Sequence, residues 1–159
     1  MLRLTVLIFG LCLSGTSMAV PPIEQWQTDN GARVYFIATP DLPIVDLRLT
    51  FRAGASRDGE LPGLAALTSN LLDQGAGGLE AGVLARRLES VGARLSTGSA
   101  RDMAWVHLRS LSKAQALDPA LEAMQLILAR PDFPAEDLQR MRRRMLVQLQ
   151  AQQQSPAAL

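Results

Sequence analysis

Few residues in this chain of 159 could do chemistry, because it contains a single histidine and a single cysteine. Zinc sites in proteins use three or four Cys, His or carboxylate ligands, so His107 cannot build a two- or three-histidine site within the chain. Its place in an alternating segment predicts an ordinary, partly exposed sheet histidine. The alternative is that it contributes one ligand to a site between subunits. Cys12 lies in a segment that we expect to be cleaved, so the mature chain has no thiol nucleophile and no disulfide.

The charge balance excludes another class of function. Lys and Arg number 16 against 15 Asp and Glu, and removal of Arg3 with the N-terminal segment leaves the two signs equal. Such a chain lacks the electrostatic footprint of a nucleic-acid-binding protein. A basic cluster near the C-terminus therefore predicts a solvated helix face, with an acidic partner surface as the alternative. Its members are Arg140, Arg142, Arg143 and Arg144.

Residues 1–19 have the three parts of a secretory signal peptide. Arg3 supplies the positive charge, Leu4–Leu13 is an apolar run too short to span a bilayer, and Ser17 and Ala19 are small residues at the cleavage positions. We expect cleavage after Ala19, export, a periplasmic location in a Gram-negative bacterium, and no stable membrane anchor after cleavage. A buried N-terminal helix is the alternative.

The elements that must position the remaining side chains alternate between strands and helices. Apolar residues recur at a period of two in residues 44–52, and at helical spacing in four later segments. Asn30-Gly31 predicts a two-residue hairpin turn. The pattern predicts an α+β fold, with helices packed on one face of an antiparallel sheet. The predicted strands are 25–28, 33–38, 44–52, 93–99 and 102–111, and the predicted helices are 62–74, 79–91, 118–130 and 134 onward.

Four strings in order make the chain, from about Trp26 to its end, similar to the insulinase/pitrilysin family of metallopeptidases, which includes the mitochondrial processing peptidases. The resemblance implies that residues 20–159 form the N-terminal half-domain of such a peptidase. The family unit is longer, and no strand follows the last helix, so we expect an incomplete domain. The strings are Phe51–Asp58, Gly63-Leu64-Ala65, Gly92–Leu95, and Phe133-Pro134 followed by an arginine-rich helix.

Active members of this family carry His-x-x-Glu-His on the first helix. Residues i and i+4 share a helix face, so two imidazoles can hold one zinc ion, while the glutamate acts as the base and a later glutamate is the third ligand. The resemblance places Ala66 and Asn70 at the histidine positions, Ser69 at the base position and Gln148 at the later ligand. Neutral amides suit zinc poorly, so we expect no catalytic residue and no metal in this chain.

We therefore expect a non-catalytic subunit of an exported insulinase-like zinc peptidase, which helps to bind and enclose an unstructured peptide. Its partner would be a catalytically active homologue that carries the zinc. The resemblance places the strand with Ser96, Thr97 and Ser99 near the peptide-binding edge, where a peptide could add as an extra strand; an ordinary hairpin is the alternative. A stand-alone peptide-binding or scaffold protein, and a residual metallopeptidase, are the alternative functions.

Overall fold

The computed structural model describes residues 21–154, and the chain divides after Leu42 into two compact units. The predicted signal peptide lies outside the described residues. The described part of the first unit is an antiparallel hairpin of β1 (Ile23–Gln27) and β2 (Arg33–Ile37). The predicted two-residue turn is wrong, because Thr28 pairs with Ala32 and leaves a loop of three residues between them. Gly31 closes that loop at φ 85, as a three-residue hairpin requires.

The second unit, from Pro43 onward, contains the remaining strands and all the described α-helices. Antiparallel pairing builds both of its sheets. The strands are β3 (Ile44–Phe51), β4 (Gly75–Ala76), β5 (Leu79–Glu80), β6 (Arg94–Ser99) and β7 (Ala104–Leu111). The helices are α1 (Leu64–Leu71), α2 (Ala81–Ser90), α3 (Ala114–Ala129) and α4 (Ala135–Gln153), and a 3₁₀ turn at Ala55–Arg57 precedes α1.

The larger sheet has the strand order β3-β7-β6, with β7 in the centre. Because side chains alternate along a strand, its inner face is apolar; Leu47 and Leu95 flank Leu108 across it. Helices α2 and α3 pack on this face, and Leu88, Ala120 and Met124 join the same core. The predicted α+β class, with helices on one face of an antiparallel sheet, is confirmed.

The start of helix α3 differs most from the sequence prediction. Helix α3 begins at Ala114, before the predicted start at Asp118, and contains Pro119. Pro119 removes one backbone hydrogen bond, but the residues before it are good helix formers, and Ala116 among them is buried. Within residues 21–154, none of the helices is both long and apolar enough to cross a membrane.

Candidate functional site

Helix α1, which contains the expected motif positions, is held at its first turn by a carboxylate from the preceding loop. Asp58 accepts hydrogen bonds from the backbone N–H groups of Gly63 and Ala65, each at 2.8 Å. The first N–H groups of a helix have no partner within it, and the helix dipole favours a negative charge there. Gly63 supplies the left-handed conformation, φ 92, that the entry needs. The acidic end of the string Phe51–Asp58 thus orients α1.

The glycine of the same string fixes the loop to the turn between β6 and β7. The N–H of Ala55 donates to the carbonyl of Ala100 at 3.0 Å. A Cβ atom on Gly54 would lie 2.4 Å from the backbone nitrogen of Met103 and 2.5 Å from the carbonyl oxygen of Arg101. These are backbone atoms that cannot move aside cheaply, so the close approach requires glycine. Gly54 and Asp58 of this string therefore have structural roles, because they position the loop and helix α1.

Helix α1 lies between α4 and the edge strand β6. On the α4 side, Arg140 donates to the Oε1 atom of Gln74 at 3.0 Å, and Met145 approaches the first turn at Gly63. On the β6 side, the Thr97 hydroxyl donates to the backbone carbonyl of Ser69 at 2.6 Å. Side-chain hydrogen bonds thus join the loop after α1 to α4, and strand β6 to α1.

The first-helix motif positions fall on different sides of α1. The helical period places Ala66 and Asn70 between the side that meets α4 and the side that meets β6. Ala66 is half-buried and Asn70 is exposed. Ser69, at the base position, is instead buried, with 3% exposure, and borders an apolar pocket of about 400 Å³ together with Leu72 and Leu128.

The later motif position, Gln148, lies on α4 one turn after Met145, and its side chain is exposed. Helix α4 packs against α1. Gln148 therefore lies on a helix that neighbours the one with Ala66 and Asn70. Its convergence with Ala66 and Asn70 on one cleft stays a prediction.

These four residues do not fit a zinc ion. Ala66 has no donor atom, Asn70 and Gln148 offer only neutral amide oxygens, and the Ser69 side chain is buried. Within residues 21–154, no three His, Cys, Asp or Glu side chains come together in a group that could hold a metal ion. No hydrolytic step through zinc can be derived from this donor set.

Strand β6 leaves one edge without a partner strand among the described residues. The N–H of Ala100 donates to the carbonyl of Met103, which makes that pair the hydrogen-bonded type of an antiparallel ladder. Hydrogen-bonded and non-hydrogen-bonded pairs alternate along an antiparallel ladder, so the backbones of Gly98 and Ser96 form the hydrogen bonds to β7. The backbone groups of Leu95, Thr97 and Ser99 point away from β7, toward the open edge.

The residues predicted to bind a peptide thus have different roles along β6. Thr97 and Ser99 offer backbone groups at the open edge, whereas the Ser96 side chain lies on the outer face of the sheet beside His107. The Thr97 side chain is already bonded to α1. Next to this edge lies a groove of about 850 Å³, whose opposite wall is α2 with Leu84 and Leu88.

The outer face of the sheet carries a charged network that sequence reasoning missed. His107 hydrogen-bonds to Asp46, and the Arg109 Nε atom donates to the same carboxylate at 2.7 Å. The hydrogen bond from His107, followed by that from Arg109, lowers the pKa of Asp46. His107 is half-exposed, as predicted. Alternation alone placed Asp46 outward on its strand, but only the register of β3 on β7 brings these side chains together.

The basic cluster lies on an exposed face of α4, as predicted. Its four members, Arg140, Arg142, Arg143 and Arg144, are all exposed. Arg140 in addition forms an ion pair with Asp137 at 2.5 Å and bonds to Gln74. One arginine of the four therefore has a structural role in joining α4 to the end of α1.

A family model described as insulinase (peptidase family M16) matches residues 33–159. Among solved structures, the chain is similar to the peptidase M16 inactive domain from Pseudomonas fluorescens, with 40% identity and a TM-score of 0.82 over 84% of this chain and 32% of that one. A protease from Helicobacter pylori shares 15% identity, with a TM-score of 0.73 over 87% of this chain and 34% of that one.

A third neighbour is a variant of the ferredoxin protease FusC in complex with Arabidopsis ferredoxin. It shares 22% identity, with a TM-score of 0.71 over 89% of this chain and 16% of that one. No curated protein was found to match the chain in sequence. The chain spans about a third of the length of the Pseudomonas domain, 32%. The family model covers most of the sequence, and the fold agrees with it, so the chain belongs to the insulinase family of peptidases, family M16.

Proposed function

We propose that this chain is a non-catalytic member of its family that binds a peptide for an active homologue. The observation that carries the proposal is the set of side chains at the zinc-motif positions, Ala66, Ser69, Asn70 and Gln148. None of them can act as a strong zinc ligand or as a carboxylate base. The similarity to a domain described as inactive supports the same conclusion.

The open edge of β6 is the proposed binding surface. An extended peptide can add to a sheet edge through main-chain hydrogen bonds, which give affinity without requiring one sequence. Leu95, Thr97 and Ser99 each present an N–H and a carbonyl group at this open edge, and Leu95 also lines the neighbouring groove. The FusC structure contains a bound protein, and we extend that class of ligand, a polypeptide, to this chain.

The proposed partner is a family member with an intact His-x-x-Glu-His helix, which would supply the zinc and the base. This chain would then contribute peptide binding and part of the enclosure. We further propose that residues 1–19 direct export, so that the two proteins meet in the periplasm of a Gram-negative cell. A neighbouring reading frame that encodes the intact motif would identify the partner.

The binding half of the proposal is tested on the purified mature chain with a fluorescently labelled, unstructured peptide. Ser99→Pro removes one N–H from the open edge without removing a hydrogen bond to β7. We expect this variant to bind about threefold to tenfold more weakly, the effect of roughly one hydrogen bond. Ser99→Ala is the matched control, because it keeps the N–H and should bind like the parent chain. No measurable binding by the parent chain would refute the proposed peptide role.

The non-catalytic half is tested by zinc analysis and by a cleavage assay on the same peptide. We expect no stoichiometric zinc and no chelator-sensitive cleavage by the chain alone. Adding the chain to the active homologue should raise kcat/KM for the peptide. Peptide binding without any effect on the homologue would favour a stand-alone binding protein, and chelator-sensitive cleavage by this chain alone would overturn the proposal.

A further inference from the structure

The outer face of the sheet is organised in rows that run across the strands and end at the open edge of β6. One row consists of Asp46, Arg109 and Arg94. A second row ends in Ser96, which lies two residues after Arg94 on β6. A third row is Thr50, Trp105 and Gly98. A strand added to β6 would extend each row by one side chain, because residues directly opposite each other lie on the same face.

The first row is electrostatically incomplete at the edge. Asp46 forms an ion pair with Arg109 at 2.5 Å. Arg94 stands directly opposite Arg109 on its other side, and no carboxylate among residues 21–154 forms an ion pair with it. Like charges directly opposite each other are unfavourable. An acidic side chain in the next strand position would give Arg94 an opposite charge at close range.

The third row ends in an aromatic surface rather than a charge. A Cβ atom on Gly98 would lie 2.4 Å from the Trp105 Cζ2 atom, so the indole extends from β7 over the glycine toward the edge. The guanidinium of Arg48 lies 4.8 Å from the centroid of the Trp105 ring. An apolar or aromatic side chain placed opposite Gly98 would pack against the six-membered ring of Trp105.

The other face of an added strand would meet different groups. Its side chains would point toward α2, where Leu84, Leu88 and the carboxylates of Asp73 and Glu89 line the groove, while Arg94 and Arg109 line the same groove from the sheet. Acidic side chains are disfavoured beside Asp73 and Glu89 by like charge. The preference for an acid is therefore strongest at the peptide position directly opposite Arg94.

We propose that the β6 edge selects an extended peptide with an acidic residue opposite Arg94 and an apolar or aromatic residue opposite Gly98. The two residues are four apart in the peptide and on the same face, because Arg94 and Gly98 are four apart on β6. This inference rests on the proposed function, since it names the class of peptide that the edge accepts.

The experiment uses a labelled peptide with the pattern Glu-x-x-x-Phe-x-x-x-Glu, in which x is Ser or Thr. The pattern presents the acid at the required spacing whichever way the peptide runs. We expect it to bind about threefold to tenfold more tightly than the same peptide with Lys in place of Glu. The preference should shrink as salt is added, because the pair at the edge is accessible to solvent.

A charge swap in the protein makes the test specific. Arg94→Glu should reverse the preference, so that the Lys peptide becomes the tighter ligand. Arg87→Glu is the matched control, because Arg87 is exposed on α2 outside the groove and changes the net charge equally. Gly98→Ala displaces the indole and should reduce the advantage of Phe over Ser at the central position.

The outcomes separate this inference from the function on which it rests. Equal binding of the Glu and Lys peptides, with binding still weakened by Ser99→Pro, would overturn the proposed selectivity and leave the edge-binding role intact. A preference that Arg87→Glu alters as much as Arg94→Glu would also overturn it. Loss of all peptide binding in the parent chain would instead refute the proposed function.

Discussion

Asp46 is the residue that balances charge on the outer face of the sheet. His107 and Arg109 both bond to its carboxylate, and Arg94 lies one strand further on. The hydrogen bond from His107 is the main cause of the lowered pKa of Asp46, while partial desolvation opposes it. If Asp46 were neutral, Arg109 and Arg94 would face each other without a compensating charge.

We predict that this carboxylate makes the stability of the chain depend on pH in the acidic range. A carboxyl group whose pKa is lower in the folded state binds fewer protons there, so its contribution is present above its ordinary value of 3.8 and is lost as pH falls through the folded pKa. The Asp46 side chain is 42% exposed, so we expect at most about 1 kcal/mol.

Urea unfolding of the parent chain and of Asp46→Asn between pH 7 and pH 3 provides the measurement. The difference in unfolding free energy should be constant at neutral pH and should narrow below pH 4. A difference that stays the same down to pH 3 would contradict the assignment.

Single residues were predicted to different degrees. The motif positions Ala66 and Asn70 come from the family resemblance, counted from Gly63-Leu64-Ala65. The burial of Ser69 does not, because it depends on which side of α1 meets β6. Likewise Gly54 stands in a recognisable string, but the reason for it is the approach of a turn almost 50 residues later in the chain.

At the scale of elements, α1 depends on a group outside itself. Both oxygens of Asp58 accept a backbone N–H from the first turn, and α1 has no acidic residue of its own there. The helix is only 8 residues long, and helices of this length are not stable alone in water. Its position beside β6 and α4 therefore depends on packing and on this carboxylate.

We predict that Asp58→Ala destabilises the fold by about 1–2 kcal/mol, since it leaves two N–H groups without their acceptor. Asp58→Asn keeps one acceptor oxygen and should cost less. Asp102→Ala, in the exposed turn between β6 and β7, is the control and should change stability by less than about 0.5 kcal/mol. Chemical denaturation of the three variants gives the comparison, and equal losses from Asp58→Ala and Asp102→Ala would refute the role.

The regular elements were the best-predicted part of the fold. Alternation in β3 placed Val45, Leu47 and Leu49 inward, as observed, although Phe51 at the end of the strand is 43% exposed. Helix α3 starts earlier than the sequence predicts, because Pro119 lies inside the helix and not at its boundary. The hairpin loop was misjudged because Asn30-Gly31 suits turns of two residues and of three.

At the scale of the whole molecule, α4 has apolar side chains that the rest of the described chain does not cover. Leu146, Val147 and Leu149 are 50%, 64% and 51% exposed. Met141 and Met145 on the same helix are half-buried. The chain spans 32% of the length of the Pseudomonas domain that it resembles.

We predict that a zinc site can be built across α1 and α4 at the expected motif positions. The variant Ala66→His, Asn70→His, Gln148→Glu supplies three zinc ligands, and we expect its zinc affinity to exceed that of the parent chain by ~100-fold or more. Ser69 is left unchanged because its side chain is buried and is not a ligand position. Isothermal titration with zinc measures the affinity.

The third ligand has its own control in this experiment. Replacing Gln148→Glu by Gln139→Glu keeps both histidines and the net charge, but moves the carboxylate to an earlier turn of α4. Tighter zinc binding with Glu at 148 than at 139 is expected. Equal affinity of the two variants would show that Gln148 does not face Ala66 and Asn70.

The indole that extends over Gly98 also provides an intrinsic fluorescence signal for binding at the β6 edge. The chain has two tryptophans, Trp26 in β1 and Trp105 in β7. In a Trp26→Phe variant, all indole emission would come from a ring that reaches the open edge of β6. A strand that settles there would exclude water from the ring and shift the emission to shorter wavelength, so occupancy could be followed in real time without a label on either molecule.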